Sequence, residues 1–258
     1  METLKIENDV EIPVLGFGVY QIPQEETKEA VENAIKVGYR HIDTAQSYQN
    51  ETEVGEGIKA SGIDRKELFI TTKVWIENVN YEDTLKSVER SLQRLEELKE
   101  NGKIRAIGVS NFGVDRVVDL RLHNKVAPQV NQIEINPFHQ QEAHVTALQK
   151  ENVLVEAWAP FAEGRNNLFQ NDVLKEIGDK YNKSIAQVVL RWLIERDIVV
   201  LAKSVNPERM AQNIDVFDFN LTDEDKRKIA TLEQSNSQFF SHADPEMIKF
   251  LSSRQLNV

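Results

Sequence analysis

The sequence predicts an α/β fold in which parallel strands close into a TIM-type (β/α) barrel, as one domain over residues 1–258. Short apolar runs recur along the chain, and each is followed by an amphipathic helical pattern. Most of the runs are apolar on both faces, as strands buried in a parallel sheet should be. No linker or shift in composition marks a domain boundary. One closed barrel therefore accounts for the repetition, with an open doubly wound sheet as the alternative.

Seven segments have strand character, and helical patterns separate them. The predicted strands are Pro13–Val19, Tyr39–Thr44, Leu68–Lys73, Ile104–Ser110, Val130–Ile135, Leu154–Pro160 and Val199–Lys203. Before the second strand, Ala30 and Ala34 share one face of a helix. Before the last strand, Ser184 and Gln187 form a capping box at a helix start.

The strand count falls one short, because a barrel of this type has eight strands. The step from Leu68 to Ile104 is 36 residues, longer than most of the single-helix steps, and one helical pattern fills Tyr81 to Asn101. Its apolar stripe keeps helical spacing across the Leu95–Glu96 junction. The sequence therefore predicts one continuous helix across this interval, without a strand of its own.

Composition excludes several classes of function. The formal net charge is −11, which disfavours binding to nucleic acid or to an anionic membrane surface. The chain has no cysteine, so it has neither disulfides nor thiolate chemistry. No apolar signal core or bilayer-length apolar run is present, and no metal-ligand spacing occurs. We expect a soluble cytoplasmic protein without a resident metal.

Three candidate catalytic residues follow the ends of two neighbouring strands. Asp43 and Lys73 end their strands, and Tyr48 lies in the loop after Asp43. In a parallel barrel that face holds the active site. A lysine ammonium stabilises a phenolate, so tyrosine beside lysine can serve as an acid–base group near neutral pH. The alternative is an ordinary Asp–Lys ion pair beside a surface tyrosine.

A glycine pair in the first strand imitates a dinucleotide-binding fingerprint. Gly16 and Gly18 begin a GxGxxG pattern, but Gln21 occupies the third glycine position and Ile22-Pro23 follows where a helix should begin. We therefore reject a Rossmann motif. Gly18 instead indicates a place where a cofactor or substrate approaches the strand end.

Polar residues at later strand ends indicate a binding site for a cofactor. Ser110, Asn111 and Gln132 could grip a carboxamide, and Trp158 offers a flat face to an aromatic ring.

A basic cluster marks the start of a late helix. Lys203 and Ser204 end the last strand, Asn206 can cap the following helix, and Arg209 lies in its first turn. This arrangement suits a phosphate in an otherwise acidic protein. The alternative is routine helix capping beside solvated basic residues.

Together these segments resemble the aldo-keto reductase family, most closely its bacterial members of the 2,5-diketo-gluconate reductase type. The resemblance covers nearly the whole chain. The matching motifs, in order, are GFGVYQ, YRHIDTAQSY, LFITTKVW, GKIRAIGVSNF, VNQIEINP, EAWAPFAEGRN and VVLAKSVNPERMAQN. Each motif is weak alone, but the ordered set is specific.

The resemblance implies an eight-stranded barrel that reduces aldehydes or ketones with NADPH. Tyr48 would donate the proton, Lys73 would lower the pKa of Tyr48, and Asp43 would pair with Lys73. A small carbonyl compound would be the partner, and the protein would be a monomer. The residues expected at the cofactor are Gly18, Ser110, Asn111, Gln132, Trp158, Lys203, Ser204, Val205, Arg209, Gln212 and Asn213, and those expected at the substrate are Tyr20, Trp75 and Phe239. Among them, Lys203, Ser204 and Arg209 would bind the 2′-phosphate of NADPH.

One departure from the family pattern is large. Members carry an additional segment between the positions of Leu95 and Glu96, with barrel strand four and its catalytic histidine. His41 is expected to be structural, and His139 and His242 are weak substitutes. Catalysis would be impaired if the segment is truly absent. A non-catalytic nicotinamide-nucleotide-binding or structural protein is the alternative.

Overall fold

A curled parallel sheet organises the computed structural model, which describes residues 1–6, 9–74, 99, 104–241 and 244–253. The strands are β1 (Thr3–Ile6), β2 (Val10–Pro13), β3 (Leu15–Gly18), β4 (His41–Asp43), β5 (Phe69–Thr71), β6 (Gly108–Ser110), β7 (Val130–Glu134), β8 (Leu154–Trp158) and β9 (Ile198–Ala202). β1 and β2 form an antiparallel hairpin. The other seven form one sheet in the order β5-β4-β3-β9-β8-β7-β6.

The sheet curls as a barrel does, and one contact demonstrates the curl. Gln132 on β7 donates to Asp43 on β4 at 2.9 Å. Three strands separate β4 from β7 in the sheet order. In a flat sheet those strands would lie about 19 Å apart, given about 4.8 Å between neighbours. Side chains from both strands therefore meet across the interior of an α/β barrel-like fold.

Helices connect the strands and cover the outside of the sheet. They are α1 (Gln24–Val37), α2 (Glu51–Ser61), α3 (Val114–His123), α4 (Glu142–Lys150), α5 (Asp172–Tyr181), α6 (Ile185–Ile194), α7 (Pro207–Ile214), α8 (Asp223–Ala230) and α9 (Pro245–Ser252). Short 3₁₀ segments occupy Gln46–Tyr48 and Arg65–Glu67, and an irregular one spans Ala162–Gln170. The predicted capping box at Ser184 and Gln187 is present at the start of α6. The described helices include none with the length and apolarity needed to cross a bilayer.

All seven predicted strands are present, with different boundaries. Six are shorter than predicted, and the last is shifted by one residue to Ile198–Ala202. Leu68 and Ile107 lie outside the strand bounds yet are only 1% and 2% exposed. The apolar pattern therefore reported burial, which extends into the loops beyond the hydrogen-bonded ladder. The predicted helix Tyr81–Asn101 and the Leu95–Glu96 junction lie outside the described residues.

Within the described ranges, β5 and β6 are the two ends of the sheet, and one arginine joins their surroundings. Arg105, which precedes β6, donates from Nη2 to the Leu68 carbonyl at 3.3 Å. Its guanidinium also lies 4.8 Å from the Phe69 ring centre, a cation–π contact. Arg105 therefore links both ends of the sheet on the side where the strands begin.

Candidate active site

Asp43, Lys73 and Tyr48 meet where β4 and β5 end. Asp43 is the last residue of β4 and is 2% exposed. Lys73 Nζ donates to both carboxylate oxygens of Asp43 at 2.7 Å and to Tyr48 Oη at 3.2 Å. The register of the parallel pair sets this contact, because Asp43 pairs with Thr71 and places Lys73 two residues beyond. The arrangement gives Tyr48 a cationic neighbour that is itself fixed by an anion.

The loop that carries Tyr48 is fastened at both ends. The Gln46 amide donates to the Lys73 carbonyl at 3.1 Å, which ties the loop to the end of β5. Asn50 is fully buried, donates to the Val19 carbonyl at 3.1 Å and accepts from Thr44 Oγ1 at 3.2 Å. Asn50 was not predicted from the sequence. Its signal is weak, because an asparagine before a helix reads as a cap, yet it makes no side-chain cap here.

The charges around Tyr48 favour the neutral phenol. Burial raises the pKa of Tyr48, the Asp43 carboxylate raises it further, and Lys73 lowers it without reversing the direction. Burial lowers the pKa of Lys73, but Asp43 and Tyr48 outweigh it and raise the net value. Lys73 therefore stays an ammonium. The expected lowering of the Tyr48 pKa by Lys73 is real but smaller than the effect of burial.

A second cluster lies directly beneath this trio in the barrel interior. Gln132 Nε2 donates to Asp43 Oδ2 at 2.9 Å and to Glu156 Oε2 at 3.0 Å. Glu156 Oε1 lies 3.6 Å from His41 Nε2, and that nitrogen is 2.9 Å from Thr71 Oγ1. Glu156 and His41 are 3% and 1% exposed. His41 is buried, as expected. Glu156 was missed, although a lone charge inside the apolar run VEAWAP is a readable signal.

Glu156 and His41 lie at ion-pair distance, but their surroundings favour two neutral groups. Burial, followed by the Asp43 charge, raises the pKa of Glu156 to about 8. Burial lowers the pKa of His41 to about 4, against a smaller opposite effect of Asp43. At neutral pH the pair is therefore mainly a carboxylic acid beside a neutral imidazole.

The buried Glu156 should make stability depend on pH. Its raised pKa means that the folded chain keeps a proton that the unfolded chain releases, so stability falls as pH rises from 4.5 to about 8. His41 acts oppositely, since its lowered pKa makes stability rise between about 4 and 6.5. Above pH 6.5 only the Glu156 effect remains of the two. Between about pH 6.5 and 8, we expect the free energy of unfolding of Glu156→Gln to rise by about 1–2 kcal/mol relative to that of the wild type.

Urea unfolding across that pH range measures the difference. Glu29→Gln is the matched control, because Glu29 is an exposed carboxylate on α1. The difference in free energy of unfolding between Glu29→Gln and the wild type should stay constant across this pH range. A constant difference for Glu156→Gln as well would contradict a neutral, buried Glu156.

The residues predicted to hold a carboxamide gather around the end of β7. Ser110 Oγ donates to the backbone carbonyl of Gln132 at 3.0 Å, and the backbone N–H of Asn111 donates to the same oxygen at 2.9 Å. Trp158 Nε1 donates to Asn111 Oδ1 at 2.8 Å. β7 lies between β6 and β8, so these side chains share one short stretch of the barrel mouth. Gly18 is buried, and a Cβ added there would meet only Leu201, at 3.8 Å.

The predicted phosphate-binding segment forms the start of α7. Asn206 Oδ1 accepts from the Arg209 amide at 3.0 Å, and Ser204 Oγ accepts from the Asn206 amide at 3.1 Å. Lys203, Val205 and Arg209 are exposed, and Ser204 is half-buried. Ser204 and Asn206 thus shape the turn and leave the cations on its surface.

Two further predicted cofactor residues on α7 differ in exposure. Gln212 is exposed. Asn213 is 6% exposed and hydrogen-bonds to the Tyr39 side chain. Only Gln212 therefore presents its amide to the surface of α7.

Two aromatic contacts involve predicted substrate residues. The Tyr20 ring lies 5.0 Å from the Tyr48 ring and is 53% exposed. The Phe239 ring lies 5.2 Å from the Trp158 ring. Trp75, the third predicted substrate residue, lies outside the described residues.

Glu134 anchors the segment that delivers Phe239. It ends β7, is 4% exposed, and accepts from the Gln238 amide at 2.8 Å and from Ser237 Oγ at 2.5 Å. The Arg165 guanidinium lies 4.2 Å from the Phe239 ring centre. Glu134 was not predicted from the sequence, because its partners lie about a hundred residues away in the chain.

Among the histidines that the structure describes, none hydrogen-bonds to Tyr48. His41 contacts Thr71 and Glu156, and His144 pairs with Gln141 at 3.0 Å. His139 closes a turn with Asn136. His242 lies outside the described residues.

Comparisons with known proteins agree with this geometry. The model of the aldo/keto reductase family matches residues 14–96 and 93–234. A glyoxal reductase of Bacillus subtilis is 42% identical over 259 aligned positions, which cover 90% of this chain and 93% of the relative.

Solved structures give the same result. The aldo-keto reductase MGS-M4, from a Medee basin deep-sea metagenome library, has a TM-score of 0.85 and 37% identity, and the match covers 93% of this chain and 98% of that one. An aldo-keto reductase of Bombyx mori, solved in complex with NADP, has a TM-score of 0.83 and 30% identity and covers 96% of both chains. This chain therefore belongs to the aldo-keto reductase family.

Proposed function

We propose that this protein reduces small aldehydes and ketones with NADPH, and that Tyr48 donates the proton. The observation that carries the proposal is the Lys73 ammonium, which hydrogen-bonds to Tyr48 and to both oxygens of Asp43. The glyoxal reductase relative supports a small carbonyl substrate. The NADP bound to the silkworm structure supports the cofactor.

The proposed proton transfer follows from the local charges. NADPH, when bound, supplies the hydride that reaches the carbonyl carbon. The raised pKa of Tyr48 keeps the phenol protonated at neutral pH, which is the form that can donate to the carbonyl oxygen. The adjacent Lys73 ammonium then stabilises the phenolate that remains. Asp43 holds Lys73 in place and keeps it charged.

The residues of the barrel mouth fit a nicotinamide group. Gln132 donates from its side-chain nitrogen Nε2 to Asp43 and Glu156. Its side-chain oxygen Oε1 is therefore the atom that it offers to a ligand. Ser110 and Asn111 lie beside it, and Trp158 supplies an aromatic face. Together these groups can orient a carboxamide and its ring.

The start of α7 fits the phosphate that distinguishes NADPH from NADH. Lys203 and Arg209 are exposed cations in a chain of net charge −11, and neither forms an ion pair within the described residues. Ser204 adds a hydroxyl, and the first turn of α7 adds helix-terminal amides. We place the 2′-phosphate here, with Val205 and Gln212 beside the adenosine.

Removing the Arg209 guanidinium should weaken NADPH binding selectively. Arg209→Ala is expected to raise the Kd for NADPH about 10- to 100-fold, because one charge-assisted hydrogen bond is lost. The Kd for NADH should change by less than about threefold, since NADH has no 2′-phosphate. Fluorescence titration with each cofactor measures both constants. Arg227→Ala, at an exposed arginine of α8, is the matched control, and an equal loss for both cofactors would contradict the phosphate assignment.

We also propose that the chain lacks the βα unit that carries strand four in its relatives. Two observations support this deletion. The family model matches in two parts that overlap at residues 93–96, which include the Leu95–Glu96 junction. The glyoxal reductase alignment has 259 positions but uses 90% of 258 residues, about 232, so about 27 positions face a gap in this chain.

We further propose that the protein is one barrel domain over residues 1–258 and a cytoplasmic monomer of the bacterial diketogluconate-reductase type.

The deletion favours a second candidate function, a nicotinamide-nucleotide-binding protein without catalysis. The missing unit carries the catalytic histidine in the relatives, and loss of one such positioned polar group typically lowers the rate about 10²–10³-fold. NADPH consumption with methylglyoxal or a nitrobenzaldehyde distinguishes the two functions. Turnover that depends on Tyr48 supports the reductase, and NADPH binding without turnover supports the second function. Absence of NADPH binding contradicts both. Intact-mass spectrometry tests the deletion itself, because the full sequence has a mass of 29.6 kDa.

A further inference from the structure

Two buried carboxyl groups share one amide inside the barrel. Asp43 Oδ2 and Glu156 Oε2 both accept from Gln132 Nε2, so these two oxygens lie within about 6 Å of each other. Both residues are almost fully buried, at 2% and 3% exposure. Two carboxylates this close in a buried site do not ionise together readily, because each charge opposes the other.

The groups around the pair decide which carboxyl carries the charge. Lys73 donates to both oxygens of Asp43 and lies beyond β5. Within the described residues, no lysine or arginine hydrogen-bonds to Glu156: β4 presents His41 at 3.6 Å, and β9 presents the apolar Val199 in register. β7 contributes only the neutral Gln132 amide. The negative charge therefore belongs on Asp43, and Glu156 holds the proton.

We propose that Glu156 is a positioning residue of the reductase site. As a neutral acid, it holds the Gln132 side-chain amide against Asp43. Its ionisation at alkaline pH weakens proton donation by Tyr48. The inference rests on the proposed function. An ionised Glu156 places a second negative charge beside Asp43 and so holds the Tyr48 proton more tightly. It also competes with Asp43 for the Lys73 ammonium, because a charge on Glu156 acts on Lys73 in the direction that raises the pKa of Lys73.

Catalysis tests the positioning role through two substitutions. Glu156→Gln keeps an acceptor for Gln132 and cannot ionise, so its kcat should match the wild type at pH 7 and lack the decline that we expect near pH 8. Glu156→Leu removes the acceptor, so kcat should fall about 10- to 100-fold with KM changed less than about threefold. Glu29→Gln should follow the wild type at every pH. Superimposable pH profiles for Glu156→Gln and the wild type overturn the proposal.

An infrared measurement tests the protonation state without turnover. The folded wild type at pH 7 should show the carbonyl stretching band of a protonated carboxylic acid, which disappears on raising the pH and is missing in Glu156→Gln. Absence of this band in the wild type overturns the proposal even if the enzyme is active. If no carbonyl compound is reduced but the band behaves as stated, the proposed function fails while the neutral acid stands. If Glu156→Leu does not fold, the Glu156→Gln profile and spectrum decide.

Discussion

Tyr48→Phe is expected to lower kcat/KM for carbonyl reduction by about 10²–10⁴-fold, with the Kd for NADPH changed by less than about twofold. The substitution removes only the hydroxyl that receives a hydrogen bond from Lys73 at 3.2 Å. The ring remains to pack against Tyr20 at 5.0 Å, so the loop after β4 should keep its conformation. Loss of activity with intact cofactor binding would isolate the proton-transfer step.

Tyr20→Phe is the matched control for this substitution. Tyr20 is a neighbouring tyrosine, yet it is 53% exposed and its ring contacts Tyr48 without sharing the Lys73 contact. We expect less than about a tenfold change in kcat/KM. Initial rates of NADPH oxidation with methylglyoxal give both values. Equal losses in the two variants, or full activity in Tyr48→Phe, would contradict Tyr48 as the proton donor.

Lys73→Met should destabilise the fold by about 3–5 kcal/mol, because it leaves the Asp43 carboxylate buried without its cation. Asp43 is 2% exposed and accepts two hydrogen bonds from Lys73 at 2.7 Å. Methionine fills much of the volume of lysine but cannot supply a proton or a charge. Reduction of carbonyl compounds should also fall sharply, since the phenolate of Tyr48 loses its ammonium partner.

Urea unfolding measures the loss, and a double variant identifies its cause. Asp43→Asn removes the stranded charge, so the Asp43→Asn/Lys73→Met chain should be more stable than Lys73→Met alone. Lys175→Met is the surface control, because the side chains of its ion pair with Asp179 are 63% and 67% exposed and the variant should unfold close to the wild type. A double variant no more stable than Lys73→Met would show that lost packing, and not the buried charge, causes the effect.

The meeting of Asp43, Lys73 and Tyr48 could be predicted because its signals are local. Asp43 and Lys73 end apolar runs, and equivalent ends of neighbouring parallel strands meet at one face of a barrel. The strand boundaries could not be placed as well. Leu68 is buried outside the ladder, and hydrophobicity reports burial whether or not the backbone is paired.

The cluster around Glu156 required the three-dimensional sheet. Asp43 lies on β4 and Glu156 on β8, and β3 and β9 stand between them. Only the curl of the sheet brings these carboxyl groups to a common partner, Gln132. The direction of the Tyr48 pKa could not be predicted either, because it depends on how far burial outweighs the Lys73 charge.

The attachment of Phe239 separates two properties of the molecule. The proposed chemistry resides in groups fixed at the ends of β4 and β5, whereas Phe239 arrives on a late segment held by Glu134 and Arg165. The ring contacts of Phe239 within the described residues are with Trp158 and Arg165, and neither belongs to the Asp43–Lys73 ion pair. Under the proposed function, selection or a laboratory library confined to those few positions can therefore alter which carbonyl compounds are accepted while the proposed proton donor is inherited unchanged.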